Sequence, residues 1–327
     1  MRHLAVFSPA AIAIAVSALV HPACAPPPKT QQPGQVAPAK GYSVKELGER
    51  LYWVTDGSYN TMFAVSNEGV IAIDPLPTLG EHYLDAIREV TDQPITYVVY
   101  SHEHTDHIGA AGLFPKTAKY VAHTETAALL ASRRDPRRPV PTVTFDRTYR
   151  LELGDQTLVL DYHGVNHEAG NLFIYAPKQK VLMLIDVVYP GWMPYKNLGI
   201  GVDIPGYIDA HRLALQYDFH TLVAGHVDRL GTREDVQTSL AFVTELQSTV
   251  ARSMAKTTFP AYLKATASTK TSWERHNDYE MALVDACHAQ MSPRWGARLA
   301  GSESYLKDNC WAMLESLVVQ FPPVEVK

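Results

Sequence analysis

The chain has 327 residues, of which 46% are hydrophobic and 19% charged, and a formal net charge of −5. This is the composition of an ordinary globular protein, and without a basic excess it lacks the electrostatic footprint that nucleic acid requires. Fourteen histidines against three cysteines direct any metal ligation toward imidazole and carboxylate rather than thiolate.

Residues 1–25 read as an export leader. Arg2 and His3 make a short basic start, an apolar run covers 4–20, and Ala23-Cys24-Ala25 supplies a small-residue cleavage pattern. The run is short for a membrane span and no second one follows, so no transmembrane helix is expected in the mature chain. A periplasmic or secreted location is expected, with Cys24 open as a lipid-attachment site. Residues 26–41 are a Pro- and Gln-rich linker with nothing to bury, expected to be disordered.

Residues 42–231 carry the regular pattern of a catalytic core. Apolar or alternating runs at 51–54, 60–66 and 70–74 are split by Asp56-Gly57 and Asn67-Glu68-Gly69, which predicts a β-meander. Helical spacing over 84–90 leads into a strand at 95–100, and a second strand-helix pair covers 120–122 and 124–132. Further strands are predicted at 148–153, 156–162, 172–176 and 181–185, then a helix at 208–217 and a strand at 221–224. Two strand-rich blocks, each followed by helices, predict an α/β fold: an αββα sandwich of two mixed β-sheets flanked by helices. Residues 232–327 are read as a helical extension of the same domain, with helices over 232–256, about 273–290 and about 302–319. Capping the active site and forming a homodimer are both open roles for it. Cys287 and Cys310 fall in two of these helices, and in an oxidising compartment they are expected to pair as a disulfide.

The chemistry concentrates after the strand at 95–100, in Ser101-His102-Glu103-His104-Thr105-Asp106-His107. His102 and His104 alternate so that both can face one metal, while Asp106 and His107 on the following turn can face a second. Imidazole and carboxylate donors suit zinc. This motif resembles that of the metallo-β-lactamase superfamily, and the later ligand positions of that family have counterparts here. His167 opens His167-Glu168-Ala169-Gly170-Asn171, about 60 residues after His107. Asp186 ends an apolar strand, and His226 ends Leu222-Val223-Ala224-Gly225-His226. His163 competes with His167, and the following Asn171 favours His167.

The resemblance implies a dinuclear site in which His102, His104 and His167 hold one ion, Asp106, His107 and His226 hold the other, and Asp186 bridges them. It also implies that Asp74 is a carboxylate supporting the ligands from behind. Two zinc ions are the implied cofactor, and manganese, cobalt or iron fit the same donors. The implied reaction is attack of a metal-bridging hydroxide on a carbonyl, with Asp106 orienting the nucleophile and passing its proton to the leaving group.

Substrate class rests on finer likenesses. True β-lactamases carry Cys or Ser where this chain has Asp186. Asp186-Val187-Val188-Tyr189 resembles the Asp-x-x-Tyr of N-acyl homoserine lactonases, whose tyrosine assists the lactone carbonyl. The Pro-stiffened aromatic loop at 189–195 suits the wall of an apolar pocket. The expectation is therefore a small-molecule hydrolase of a lactone or related carboxylic ester with an apolar arm. The alternative is a periplasmic β-lactam-hydrolysing enzyme, which the leader favours. Phosphodiesterase or sulfatase chemistry is disfavoured because the one strong basic run, Arg133, Arg134, Arg137 and Arg138, reads as a solvated loop.

Overall fold

The computed structural model describes residues 38–321. The expected leader at 1–25, Cys24 and the linker up to residue 37 lie outside the described residues, as does the end of the extension, 322–327. The last four linker residues belong to the folded unit. The Gly41 N–H donates to the Pro38 carbonyl (2.8 Å), and Lys40 pairs with Glu89 (2.7 Å).

The first sheet has seven strands in sequential order: β1 (Ser43–Gly48), β2 (Leu51–Thr55), β3 (Asn60–Val65), β4 (Val70–Ile73), β5 (Ile95–Val99), β6 (Lys119–His123) and β7 (Val143–Phe145). β1 to β4 form an antiparallel meander, and from β4 onward the pairings are parallel. Three helices connect its later strands: α1 (Glu81–Arg88), the short α2 (Thr105–Ile108) and α3 (Thr124–Arg133). The second sheet runs β12 (Thr221–Val223), β11 (Val181–Leu184), β10 (Phe173–Ala176), β9 (Gln156–Asp161) and β8 (Thr148–Leu153), antiparallel except for the β11–β12 pair. α4 (Lys196–Ile200) and α5 (Ile204–Ala214) link β11 to β12. The extension is α6 (Arg233–Lys256), α7 (Phe259–Ala265), α8 (Ser272–Trp295) and α9 (Ser302–Val319).

Burial explains why these strands form. Every residue of β3 and β4 is buried, so both faces are covered and the strands read as unbroken apolar runs. β9 alternates buried and half-buried residues, as expected of a strand with one face on a core. Met62, Ile71 and Val99 meet Leu160, Ile174 and Met183 between the sheets. On the outer face of the first sheet, Phe63 and Val98 pack with Tyr83 of α1. On the outer face of the second, Phe173 and Leu184 pack with Phe242, Trp295 and Met313 of the extension. This is the expected αββα sandwich, and the extension is the outer layer of its second half.

Some boundaries differ from the sequence reading. β1 and β7 were not anticipated: β1 is a half-exposed, charged edge strand and β7 has only three residues. α1 begins at Glu81, after Gly80 with a positive φ of 53°. α5 begins at Ile204 rather than 208, because Pro205 in its first turn is a helix-start residue. α6 and α8 open on Thr232 and Thr271, each with a reciprocal capping box to Asp235 and Glu274. A Cys287–Cys310 disulfide ties α8 to α9 across a Cα separation of 6.1 Å. Among the described residues no helix is long and apolar enough to cross a membrane.

Candidate metal centre

The site gathers where strands from both sheets end at one edge. β4 and β5 pair in parallel with Ile73 opposite Val99, so Asp74 emerges beside the turn that starts the histidine motif. The Asp74 Oδ1 accepts the Ser101 N–H at 2.7 Å. β11 and β12 pair in parallel with Met183 opposite Val223, so Asp186 and His226, each three residues further on, leave the same edge. His167 arrives from the β9–β10 connection, whose Leu172 N–H donates to the Ser101 carbonyl (3.0 Å). Three non-glycine residues here have positive φ: Asp74 (38°), Asp186 (61°) and Val227 (72°). Such positions cost on the order of 1–3 kcal/mol each and persist where surrounding contacts hold them. For Val227 the contact is Asn60, whose Nδ2 donates to the carbonyls of Val227 (2.8 Å) and His226 (3.2 Å). Asn60 is itself held by Trp53 Nε1, which donates to its Oδ1 (3.0 Å).

The structure brings all seven sequence-expected ligands into two sets that share Asp186. In one, donor atoms of His102, His104, His167 and Asp186 lie within 4.8 Å of one another; in the other, those of Asp106, His107, Asp186 and His226 do. His104 Nδ1 and His167 Nε2 face each other at 3.1 Å. Asp186 sits between the sets, with Oδ2 at 3.0 Å from His107 Nε2 and 3.3 Å from His167 Nε2, and Oδ1 at 3.0 Å from His226 Nε2. His102 Nε2 and Asp186 Oδ1 are buried without a hydrogen bond. Buried polar atoms rarely go unpartnered; here both belong to residues of the donor sets. Each donor set therefore fits a divalent cation.

Burial and the crowding of imidazoles against carboxylates shift these groups in both directions. Burial holds the His102 and His167 imidazoles toward their neutral form, His167 down to about 4. Burial opposes charge on His107 as well, but the Asp186 carboxylate outweighs it and lifts that ring to about 9. Asp186 is held well below the usual carboxylate range, since His107, His226 and His167 overcome its burial. Burial raises Asp74 to about 6, partly offset by His107 and Ser101.

A third group, Glu103, His104 and Glu168, also lies within 4.8 Å. Its chemistry is different. Glu103 is engaged by Arg133 Nη2 (2.8 Å) and Arg138 Nη1 (2.9 Å), so its charge is already balanced. The expectation of a solvated basic run holds for Arg134 and Arg137, which are exposed, and is corrected for Arg138, which is only 7% exposed and, like the exposed Arg133, pairs with Glu103 of the histidine motif. Glu168 Oε2 meets His104 Nε2 at 3.2 Å, which leaves Nδ1 to face the first donor set. Sequence reasoning missed Asn60, Glu103 and Glu168 in these roles. Position within or beside the ligand motifs was a usable signal for the two glutamates, and nothing local marks Asn60. His163, the competitor of His167, pairs with the Tyr217 hydroxyl (2.8 Å) and joins neither donor set.

A cavity of about 610 Å³ opens over the donors. Tyr59, Tyr189, Trp192, Tyr195, Ile200 and Tyr305 form much of its wall, and no lysine or arginine is among its described lining residues. The Tyr189 ring stacks on His226 with centroids 5.8 Å apart. Burial, reinforced by Asp186, pushes its hydroxyl well above the ordinary tyrosine range, so it stays protonated and able to donate at neutral pH.

Residues 54–226 match the Metallo-beta-lactamase superfamily. The chain belongs to that superfamily. Its members are generally metal-dependent hydrolases, and this one carries His/Asp clusters able to hold metal ions. Among curated relatives it is 29% identical over 190 residues to the 2,4-dinitroanisole O-demethylase subunit alpha of Nocardioides sp. strain JS1661; that match covers 57% of each protein. It is 24% identical over 281 residues to the subunit beta, covering 79% of this chain and 85% of that one. The Metallo-beta-lactamase type 2 of Elizabethkingia meningoseptica is 25% identical over 225 residues, 62% of this chain and 86% of its own. Solved structures share the fold. A metallo-beta-lactamase from Pontibacter korlensis superposes with a TM-score of 0.53 at 24% identity, covering 61% of this chain and 97% of that chain. A stereoselective inverting sec-alkylsulfatase from Pseudomonas sp. gives 0.60 at 19% identity, covering 86% of this chain and 51% of that chain.

Part of this metallo-β-lactamase-superfamily pocket comes from beyond the matched residues, since Tyr305 is on α9. The α4 segment that contributes Ile200 is left-handed: Asn197, Leu198, Gly199 and Ile200 have φ of 54°, 53°, 71° and 60°. Each non-glycine residue in that conformation costs about 1–2 kcal/mol, so other contacts must hold the turn.

Proposed function

We propose that the protein is a dinuclear zinc hydrolase of an uncharged lactone or related carboxylic ester bearing an apolar arm. The observation that carries this reading is the juxtaposition of two donor sets sharing Asp186 with an aromatic pocket whose described lining has no cationic side chain. Tyr59, Tyr189, Trp192, Tyr195, Ile200 and Tyr305 supply apolar surface that matches the arm of such an ester, and no lysine or arginine in the described lining offers a charged group on that arm a partner.

Divalent cations bound in the two sets acidify water and polarise a carbonyl oxygen. Asp106, partly exposed at the pocket floor, accepts the proton of the attacking water and returns it to the leaving oxygen. The Tyr189 hydroxyl donates to the oxyanion as it develops. Asp186 is too enclosed by histidines to serve as the base, and it orients the ligands instead.

β-Lactam hydrolysis ranks second. It is supported by the Elizabethkingia relative, and weakened by Asp186 and by the absence of a lysine or arginine in the described lining to hold a β-lactam carboxylate. The two O-demethylase subunits act by name on 2,4-dinitroanisole, an uncharged aromatic ether that would also suit these walls. The test is hydrolysis by the zinc-loaded protein of acyl homoserine lactones, aryl esters, a penicillin, a cephalosporin, a carbapenem and 2,4-dinitroanisole, beside His104→Ala. Lactone or ester turnover lost in the variant supports the proposal, and turnover confined to β-lactams or to the ether overturns it. The leader-like first 25 residues and the Cys287–Cys310 disulfide support a periplasmic or secreted location, which cell fractionation tests.

A further inference from the structure

We infer that the C-terminal helical extension sets substrate selectivity: Tyr305 and the left-handed turn Asn197 to Ile200, held in place by Asn309, form the wall against which the apolar arm lies. This rests on the proposed hydrolase reading for the arm's chemistry, and on four independent features of the structure for the wall.

The turn cannot hold itself, because four successive residues have positive φ and three of them carry a β-carbon. One buried side chain from α9 supplies what is missing. Asn309 Oδ1 accepts the Leu198 N–H at 2.8 Å, and Asn309 Nδ2 donates to the Pro194 carbonyl at 3.0 Å. Asn309 is fully buried, so both groups would otherwise be left unsatisfied.

Second, the turn points its apolar residues in opposite directions. Leu198 is completely buried, whereas Ile200 is 61% exposed at the pocket rim beside Trp192 and Tyr195, which are also exposed. A cluster of exposed large apolar side chains around a cavity mouth marks a binding surface.

Third, the loop after Asp186 is stitched to the α8–α9 connection by backbone bonds. The Met193 N–H donates to the Ala300 carbonyl (3.0 Å), and the Ala300 N–H donates to the Gly191 carbonyl (2.9 Å). Tyr305 then packs on Tyr195 with ring centroids 5.4 Å apart. Fourth, the turn packs closely on Tyr189: a β-carbon on Gly199 would come within 2.7 Å of the tyrosine hydroxyl. Glycine is required there, and the turn fixes where Tyr189 can lie.

Asn309 is thus a positioning residue and Tyr305 a specificity residue. The test compares zinc-loaded wild type, Tyr305→Ala and Asn309→Ala in hydrolysis of p-nitrophenyl octanoate and p-nitrophenyl acetate, which share a leaving group. The expected result is a fall of ~tenfold in the octanoate-to-acetate ratio of kcat/KM. The change should lie in KM for the octanoate, with zinc content unchanged. A ratio within about twofold of wild type, or a parallel loss on both esters that tracks lost zinc, overturns the inference. Tyr305 is only half-buried, so its variant carries the test if Asn309→Ala does not fold. Calorimetric binding of octanoate and acetate reads the wall without turnover. Weakened octanoate binding in either variant, even where no ester is hydrolysed, sustains the wall and rejects only the ester reading; equal octanoate binding in all three proteins rejects the wall.

Discussion

Asn60 and Glu168 each steady one of the two donor sets, and this makes the sets separable. Asn60 fixes the His226–Val227 bend through two carbonyls. Glu168 fixes the His104 ring through Nε2. Losing a contact of this kind typically weakens metal binding by about 10- to 100-fold. Asn60→Ala is therefore expected to weaken the Asp106/His107/His226 set and leave the other nearly unchanged. Glu168→Ala is expected to do the reverse. Zinc titration against a chromophoric chelator should show one tight and one weakened site in each variant. Equal weakening of both sites in either variant would show that the sets respond as one unit. The contrast also marks what the sequence could reveal. His102, His104, Asp106, His107, His167, Asp186 and His226 could be nominated because ligand-type residues recur in an order and spacing that resemble the superfamily's, most of them just after a recognisable strand. Asn60 is an ordinary strand residue whose role depends on Trp53 beside it and a loop more than 160 residues away.

Among the elements, legibility followed how local the cause was. The strands of the two sheet cores were legible as apolar or alternating runs, while the Thr-x-x-acid boxes at Thr232 and Thr271, which the sequence reading did not use, fix where α6 and α8 begin. β1 and β7 were not legible, since a charged edge strand and a three-residue strand owe their pairing to neighbours rather than to their own residues. The left-handed turn was least legible: Asn197 and Gly199 permit it, Leu198 and Ile200 oppose it, and Asn309 decides it from 111 residues away. The cap of α6 yields a stability prediction with a pH sign. Asp235 accepts from the Thr232 N–H (2.8 Å) and pairs with Arg229 (2.6 Å). Burial opposes its charge, but Arg229 and Thr232 prevail and lower its folded pKa. A carboxylate depressed in the folded state stabilises it above the ordinary aspartate value of about 3.9, and this stabilisation is lost as pH falls through the folded value. Asp235→Ala should cost about 2 kcal/mol at pH 7. Thermal melts of both chelator-treated proteins should show that gap narrowing below about pH 4. A gap that stays constant into acid would mean that the carboxylate charge contributes nothing.

At the scale of the molecule, the superfamily match ends at residue 226 while the folded chain continues through α9. The added helices cover the second sheet and help build the pocket, so their stability and the site's selectivity should be linked. The Cys287–Cys310 bond is the natural lever, because it closes a loop of 23 residues between α8 and α9 and adjoins Asn309. Cross-linking a loop of this length restricts the unfolded chain by about 3 kcal/mol. A Cys287→Ala, Cys310→Ala double variant avoids thiol reductants, which would compete for zinc. Its melting temperature should fall by roughly 4–6 °C for a chain of this size. Its zinc stoichiometry should not change, because every donor lies between His102 and His226, ahead of the extension. If α9 is the part that loosens, octanoate binding should weaken before acetate binding does as the variant is warmed toward its transition. If the two ligands weaken together, the extension and the sandwich unfold as one cooperative body, and α9 has no mobility separate from the metal centre.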